Sequence, residues 1–340
     1  MLYAEHLEAG IRRAVAQALG SLATQDAPGP VKLLTSWLRD ADRDVRHASL
    51  RSLASVAGRG NGEVTKVLID NASEADAATK IATLEALPLF AERGHALAAS
   101  FARRSITDSD AGLRAAAAKA LPSLVEKGTG WATDALCTRL EDVDEGVRKA
   151  AVTSLGEVAP QGDAAAIRAV CARLEHRFWW VTHAALRALA GVARKGDPCA
   201  VDAVVSRLGA EEASTRQAAY EALAHVVEPG DARAIDSIAA HLRSRSRQVR
   251  QMAAKALARV GTGDARAVAA CCSQMEHADK EVRRSAVEAL AQIAQRGDKS
   301  AVGEVCARLG HGHAAVRLDA LVALRSLACR GCPVAGGGGR

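Results

Sequence analysis

The sequence predicts an all-α protein, a right-handed solenoid (superhelix) of stacked helical hairpins about 34 residues long. Three observations carry that expectation. Leu155 has counterparts at Leu19, Leu53, Leu87, Leu121, Leu189, Leu223, Leu257, Leu290 and Leu324, each 34 residues from the next except for one step of 33 between Leu257 and Leu290. Apolar residues around them recur at i, i+3, i+4 and i+7, which places them on one helical stripe. Gly-Asp pairs punctuate the second half of the chain at the same period, at Gly162-Asp163, Gly196-Asp197, Gly230-Asp231, Gly263-Asp264 and Gly297-Asp298. Glycine ends a helix in the left-handed conformation and aspartate caps the next one, so each pair joins two hairpins.

Residues 1–26 match the second half of a repeat, with Ile11, Ala14, Leu19 and Leu22 in the places of Val147, Ala150, Leu155 and Val158. Too little chain precedes Ile11 for a full partner helix. The expectation is either a fragment or a partner-covered end, or a short cap folded back from residues 1–9. Nine full repeats follow over 27–328, each reading helix A, turn, helix B. The helix A stripes run Ile167, Val170, Cys171, Leu174; then Val201, Val204, Val205, Leu208; then Ile235, Ile238, Ala239, Leu242; and Val302, Val305, Cys306, Leu309. Pro88 and Pro122 fall inside two consecutive B helices and predict kinks there. The shortened junction Val260-Gly-Thr-Gly-Asp264 predicts a local change of twist; as a phosphate loop it lacks both the preceding strand and the lysine.

Composition agrees with thin, repeated helix contacts rather than one thick core: 49% of the 340 residues are apolar and only 3% aromatic. A solenoid lengthens without a second core, so a single domain over 1–328 is expected, followed by a flexible Gly-rich tail, 329–340. The formal charge of +6 is modest over such a length and admits an acidic partner without requiring one. No apolar run approaches the roughly 20 residues that cross a bilayer. The opening run MLYAEHLEAGIRRAV breaks its apolar residues with charges, so the chain is expected to be intracellular, cytoplasmic by default, and not secreted. Cys137, Cys171, Cys272 and Cys306 then read as small hydrophobes on the buried face of helix A. The Cys329-x-x-Cys332 of the tail has neither a second ligand pair nor a strand-to-helix setting.

Asp42, Asp76, Asp110, Asp144 and Asp279 stand four residues before Arg46, Lys80, Arg114, Arg148 and Arg283, and Arg12, Arg216, Arg250 and Arg317 extend the basic column. This Asp-then-Arg pattern resembles the HEAT-repeat family, and the GDxxAIxAV and VRxAAVxALGxVA wording is most similar to its phycobilisome-lyase-type branch. The resemblance covers nearly the whole chain. It implies that the column is a structural ladder of hydrogen bonds between repeats, rather than an arginine track for nucleic acid. Tetratricopeptide and ankyrin signatures are absent. The His-Glu dipeptides with which the related deoxyhypusine hydroxylases hold iron are absent too. No motif of the phycobilin lyases, or of the HEAT-like DNA glycosylases, transfers residue by residue.

Function is sought where a repeat departs from its siblings. In Glu175-His-Arg-Phe-Trp-Trp-Val181, Phe178, Trp179 and Trp180 occupy a turn that elsewhere carries Asp, Gly or Ser, and Thr182 replaces the ladder arginine. The rings read either as anchors for a protein partner or a flat ligand, with His176, Arg177 and His183 as a polar rim, or as packing that repairs the broken ladder. Two repeats on, Arg243, Arg245 and Arg247 concentrate positive charge on the same edge, within about 40 Å at the usual helix spacing. His277, His311 and His313 lie in turns near Asp279, and no metal is assigned to them. The resulting expectation is a non-enzymatic protein–protein interaction scaffold, with no catalytic residue, metal or cofactor, binding through the aromatic and basic turns. A tetrapyrrole lyase-like protein and a nucleic-acid-binding HEAT protein are the alternatives.

Overall fold

The computed structural model describes residues 8–25, 27–73, 75–295 and 298–328. The tail with Cys329 and Cys332, most of the proposed N-terminal cap and Gly297 lie outside the described residues. Those described form nineteen α-helices and no strand, in two compact units, Met1–Pro160 and Gln161–Arg340. In the first unit a lone helix α1 (Ala9–Leu22) precedes the hairpins α2 (Pro28–Ser36) with α3 (Arg43–Val56), α4 (Gly62–Ala72) with α5 (Ala77–Phe90), α6 (Ala96–Ser105) with α7 (Ala111–Leu124), and α8 (Gly130–Arg139) with α9 (Glu145–Val158). The second unit pairs α10 (Ala164–Cys171) with α11 (Trp179–Val192), α12 (Pro198–Arg207) with α13 (Ala213–Val226), and α14 (Ala232–Ala240) with α15 (Arg247–Val260). It continues with α16 (Ala265–Gln274) and α17 (Lys280–Ile293), then α18 (Lys299–Ala307) and α19 (Ala314–Ala328).

Inside each unit the stripes meet as the spacing requires. The central leucines from Leu53 to Leu290 are buried, and so are Ile167, Val170, Val201, Val204, Ile235 and Ile238. The first helix of a hairpin is shorter than its stripe. Leu38, Leu174 and Leu242 lie in 3₁₀ turns, Trp37–Arg39, Ala172–Glu175 and His241–Arg243, whose tighter winding ends the helix while keeping the leucine inward. Helices α5 and α7 run through Pro88 and Pro122 and keep the 14 residues of their siblings.

The last predicted stripe is only partly buried. Val305 is sealed, but Val302 and Cys306 are exposed and Cys171 is half-buried, whereas Cys137 and Cys272 are buried as expected. Val302 and Cys306 occupy the positions that a following helix A covers elsewhere, and among the described residues none follows α18. Ile11 and Leu22 on α1 are exposed likewise.

The glycine column does more than end helices. Gly60, Gly94, Gly128, Gly162, Gly196, Gly230 and Gly263 all have positive φ, and each donates its N–H to the last carbonyl of the next hairpin's B helix, for example Gly128 to Val158 at 2.8 Å and Gly196 to Val226 at 2.8 Å. This conformation turns the N–H outward to the neighbour and favours a residue without Cβ. At the shortened junction the missing residue is absorbed by Gly261, with φ −121° and ψ 27° where other caps are extended. A Cβ there would meet Ala267 Cβ at 2.5 Å, and Gly263 still reaches Ile293 O at 3.0 Å.

The ladder exists with different partners from those predicted. Asp42, Asp110, Asp144 and Asp279 cap their own B helices, each carboxylate accepting a first-turn N–H, so they do not pair with the arginines four residues on. The arginine's Nη1 donates to two carbonyls of its own turn: Arg114 to Asp108 and Ser109 at 3.0 and 2.7 Å, Arg250 to Ser244 and Arg245 at 2.9 and 3.1 Å. In Arg12, Arg114, Arg250 and Arg283 the Nε–Nη2 edge reaches the following hairpin. Arg114 holds Asp142 at 2.7 and 2.8 Å, and Arg12 holds Asp40 at 2.7 and 2.8 Å. The acid therefore stands two residues before the cap. Hydrogen bonding to Arg12 holds the Asp40 carboxyl below the usual carboxylate range. Burial would raise Asp142, but hydrogen bonds from Arg114 and the Asp144 N–H, with the charges of Arg114 and Arg139, outweigh it and keep the group low.

Candidate functional site

In the second unit the turn between α10 and α11 lacks both devices that secure its siblings. Phe178 stands at the N-cap, where no side chain caps the helix, and Thr182 stands in place of the arginine. The turn is held another way. The buried Thr182 hydroxyl donates to Leu174 O and His176 O at 3.4 and 3.5 Å, and Arg207 from α12 donates to Leu174 O at 3.1 Å. His176 Nδ1 accepts the Phe178 N–H at 3.2 Å, as Asp142 accepts that of Asp144 at 3.0 Å.

The rings form a cluster outside this framework. Phe178 and Trp180 stack with centroids 4.4 Å apart and planes 9° from parallel, and the Arg177 guanidinium lies over Phe178 at 4.5 Å. His176 sits 5.4 Å from Phe178, while Trp179 meets Trp180 and His183 edge-on at 6.1 and 6.4 Å. Trp179 is 49% exposed, whereas Trp37 is buried and Trp131 and Trp180 are half-buried. Burial, and next the charge of Arg187, push His183 below its ordinary value, so its ring is neutral at pH 7. The result is an apolar knob with a cation on one side and a neutral imidazole on the other.

Arg243, Arg245 and Arg247 are exposed on the α14–α15 turn and the start of α15, with Arg243 Nε donating to Gln274 Oε1 at 2.8 Å. Aromatic and basic turns thus share the A-to-B edge of this unit, as the spacing predicts. Sequence reading overlooked the turn between them, which carries exposed Glu211 and Glu212. Edge charge therefore runs cationic at Arg177, acidic at Glu211–Glu212 and cationic again at Arg243–Arg247. The period alone signals this, since 177, 211 and 245 are 34 residues apart.

His277 and His311 use Nδ1 to accept the N–H two residues on, at 3.0 and 3.1 Å, the same turn-closing role as His176. Among the described residues no group of three or more His, Cys, Asp or Glu could hold a metal ion, and no helix is long and apolar enough to cross a membrane. Pockets of about 180 Å³, lined by Leu38, His47 and Asp76, and about 370 Å³, lined by Lys80, Arg104 and Asp108, lie in the first unit and one of about 530 Å³, lined by Arg284, Glu288 and Asp319, in the second; none of the three is lined by a residue of the aromatic turn. Cys171 and Cys199, on α10 and α12, bring their Sγ atoms to 3.9 Å.

No curated protein matches the chain in sequence. Among solved structures, a crystal structure of an engineered protein aligns at 21% identity over 94% of this chain and 96% of that one, with a TM-score of 0.42. A homology model of the full-length AP-3 complex in an intermediate open conformation aligns at 12% over 87% and 56%, with a TM-score of 0.49. A structure of Kap95p binding to RanGDP aligns at 14% over 96% and 49%, with a TM-score of 0.54. The chain spans about half the length of the last two, and the likeness to Kap95p, at 14% identity, speaks for the fold alone. The model for HEAT repeats matches residues 2–88, 99–190, 167–258 and 235–325, and the chain belongs to the HEAT-repeat family.

Proposed function

We propose that the chain is a non-enzymatic interaction subunit that holds a protein partner along the A-to-B edge of its second unit. Phe178, Trp179 and Trp180 are the anchors, His176 and Arg177 the rim, and Arg243, Arg245 and Arg247 a second, basic contact. The observation that carries the reading is a division of labour in one turn. Thr182 and Arg207 reach its carbonyls, which gives the turn polar ties besides the rings, and Trp179 remains 49% exposed in a chain that is 3% aromatic. Stacking of Arg177, Phe178 and Trp180 fixes the knob before a partner arrives, which lowers the ordering cost of binding. Kap95p, similar in fold, binds a protein, RanGDP; the fold is one that can serve this purpose.

The test is co-purification from native extract with Trp179→Ala and with Arg243, Arg245 and Arg247 all changed to Gln. A stoichiometric protein retained by the native chain and weakened tenfold or more by Trp179→Ala supports the reading; a partner indifferent to both variants contradicts it. The phycobilisome-lyase-like wording sets a further arm. A free tetrapyrrole that binds with an absorbance change lost in Trp179→Ala replaces the scaffold reading with a ligand-binding one. Steeply salt-dependent DNA binding lost in the triple Gln variant replaces it with a nucleic-acid reading.

A further inference from the structure

Of the four buried ladder arginines, Arg114, Arg216, Arg250 and Arg283, Arg216 on α13, between the aromatic and basic turns, is the one without a side-chain partner among the described residues. It is 7% exposed, and Nη1 is anchored on Ala210 O and Glu211 O at 2.7 Å each, the hold that fixes Arg114 and Arg250. A guanidinium is planar, so this anchor aims the Nε–Nη2 edge at the next hairpin. Arg46 and Arg148, which are half-buried, likewise show only the turn anchor. The other buried ladder arginines, and Arg12, find an oxygen in the next hairpin in one of two places, Arg250 reaching Glu281 at 3.6 Å as well. Arg12 and Arg114 meet Asp40 and Asp142, six residues before the next ladder arginine. Arg250 and Arg283 meet Ser285 and Asp319, at 3.0 and 2.7 Å, two residues beyond it. For Arg216 the next arginine is Arg250, and those two places hold Ser244 and Met252.

Neither serves. Ser244 Oγ accepts the Ser246 N–H at 3.2 Å but receives no hydrogen bond from Arg216, and methionine offers no oxygen. Among the described residues no carboxylate pairs with Arg216, although its Nη1 bonds keep the head group in the ladder position. The fork atoms keep contact with solvent, through which an anion can reach a guanidinium that no counter-charge neutralises. We propose that the Nε–Nη2 edge of Arg216 receives one carboxylate of an acidic segment on the protein partner, seated as Asp142 sits against Arg114, with Arg245 and Arg247 at the mouth. The slot is shaped by its siblings for a flat, two-oxygen group met side-on, the fork-to-fork pairing that a carboxylate makes. Glu211 and Glu212, exposed on the turn that anchors Arg216, exclude loosely held anions and favour a ligand delivered by a docked chain. This deepens the scaffold reading and rests on it, because the docked chain is the partner of the aromatic edge.

The test fills the slot from within. Ser244→Asp places a carboxylate where Asp142 stands in its own hairpin, and Ser246→Asp adds the same charge at the helix cap without facing the fork. Fluorescein-labelled hexaglutamate is titrated against the full chain at low salt by anisotropy, with hexaglutamine as the neutral peptide and inorganic phosphate as competitor. Ser244→Asp is expected to weaken hexaglutamate tenfold or more while slowing native-state hydrogen exchange in α13 and α15, with Ser246→Asp within threefold of native and hexaglutamine silent. Arg216→Gln should also weaken binding; because it removes the turn anchor, Ser244→Asp is the decisive variant. Equal binding by Ser244→Asp and native chain overturns the slot, as does equal weakening by both Asp variants. Displacement by phosphate at concentrations where acetate has no effect overturns the carboxylate assignment. Against the natural partner, loss on Trp179→Ala with full retention on Ser244→Asp sinks the slot alone, and retention on both sinks the scaffold reading as well.

Discussion

Asp142→Ala is the sharpest probe of the ladder as revised. The Asp142 side chain is 3% exposed and accepts from Arg114 at 2.7 and 2.8 Å, from Arg139 at 3.2 Å and from the Asp144 N–H at 3.0 Å. Removing it leaves Arg114, 8% exposed, without its counter-charge. Stranding one member of a buried pair costs about 3–5 kcal/mol, and Arg114 keeps its two turn carbonyls, so the lower end, about 3 kcal/mol, is expected. Repeat arrays open in parts, which makes a single unfolding midpoint a poor readout. Native-state hydrogen exchange of α7 and α9 is the better assay, and about 3 kcal/mol corresponds to exchange faster by roughly 100-fold in both helices. Asp44→Ala is the control. Its pair with Arg13 is 3.4 Å long with side chains 70% and 50% exposed, so the change should stay within about 0.5 kcal/mol. Less than threefold acceleration in Asp142→Ala, or an equal effect in Asp44→Ala, would refute the assignment of the rung.

Acid titration follows from the same pairs. Asp40 and Asp142 are lowered in the folded chain, so their contribution is complete above the unfolded value of about 4 and is lost as pH falls through the lowered folded values. Asp142→Asn should flatten that acid limb of a stability–pH curve, and superimposable limbs would contradict the pairing. Burial and then the neighbouring Cys199 push the Cys171 thiol up to about 12, and burial pushes Cys272 to about 11. At pH 8 both are at most about one part in a thousand thiolate, so iodoacetamide should label exposed Cys199 and Cys306 well before them by mass spectrometry. Thr215 is buried with an unpartnered Oγ1 where sibling helices carry Val147, Val181 and Val249. Thr215→Val should slow exchange in α13 by roughly fivefold, about 1 kcal/mol, and no change would mean the hydroxyl is satisfied in solution.

Legibility from sequence followed the range of the interactions. Period, hairpins and core stripes were readable because each depends on spacing within one helix, as with Val201, Val204 and Leu208. Ladder partners were not, because Asp110 and Asp142 look alike in sequence while one caps its own helix and the other serves Arg114 from the next hairpin. The glycine rungs were missed for the same reason, since a backbone N–H leaves no residue-type signal at its acceptor. Exposure at the last hairpin was invisible because Val302 and Cys306 repeat a buried pattern whose cover is supplied by another element. At the candidate site the unusual rings were legible, and the polar ties across the turn beneath them were not. Those depended on Arg207 reaching back 33 residues to Leu174.

Hydroxyl-radical footprinting, read by mass spectrometry on the native chain alone and in its purified complex, tests most directly whether the aromatic turn is where a partner sits. Trp179, 49% exposed, should oxidise readily in the free chain and be protected severalfold in the complex, while buried Trp37 stays unmodified in both. Equal oxidation of Trp179 with and without the partner would contradict the account.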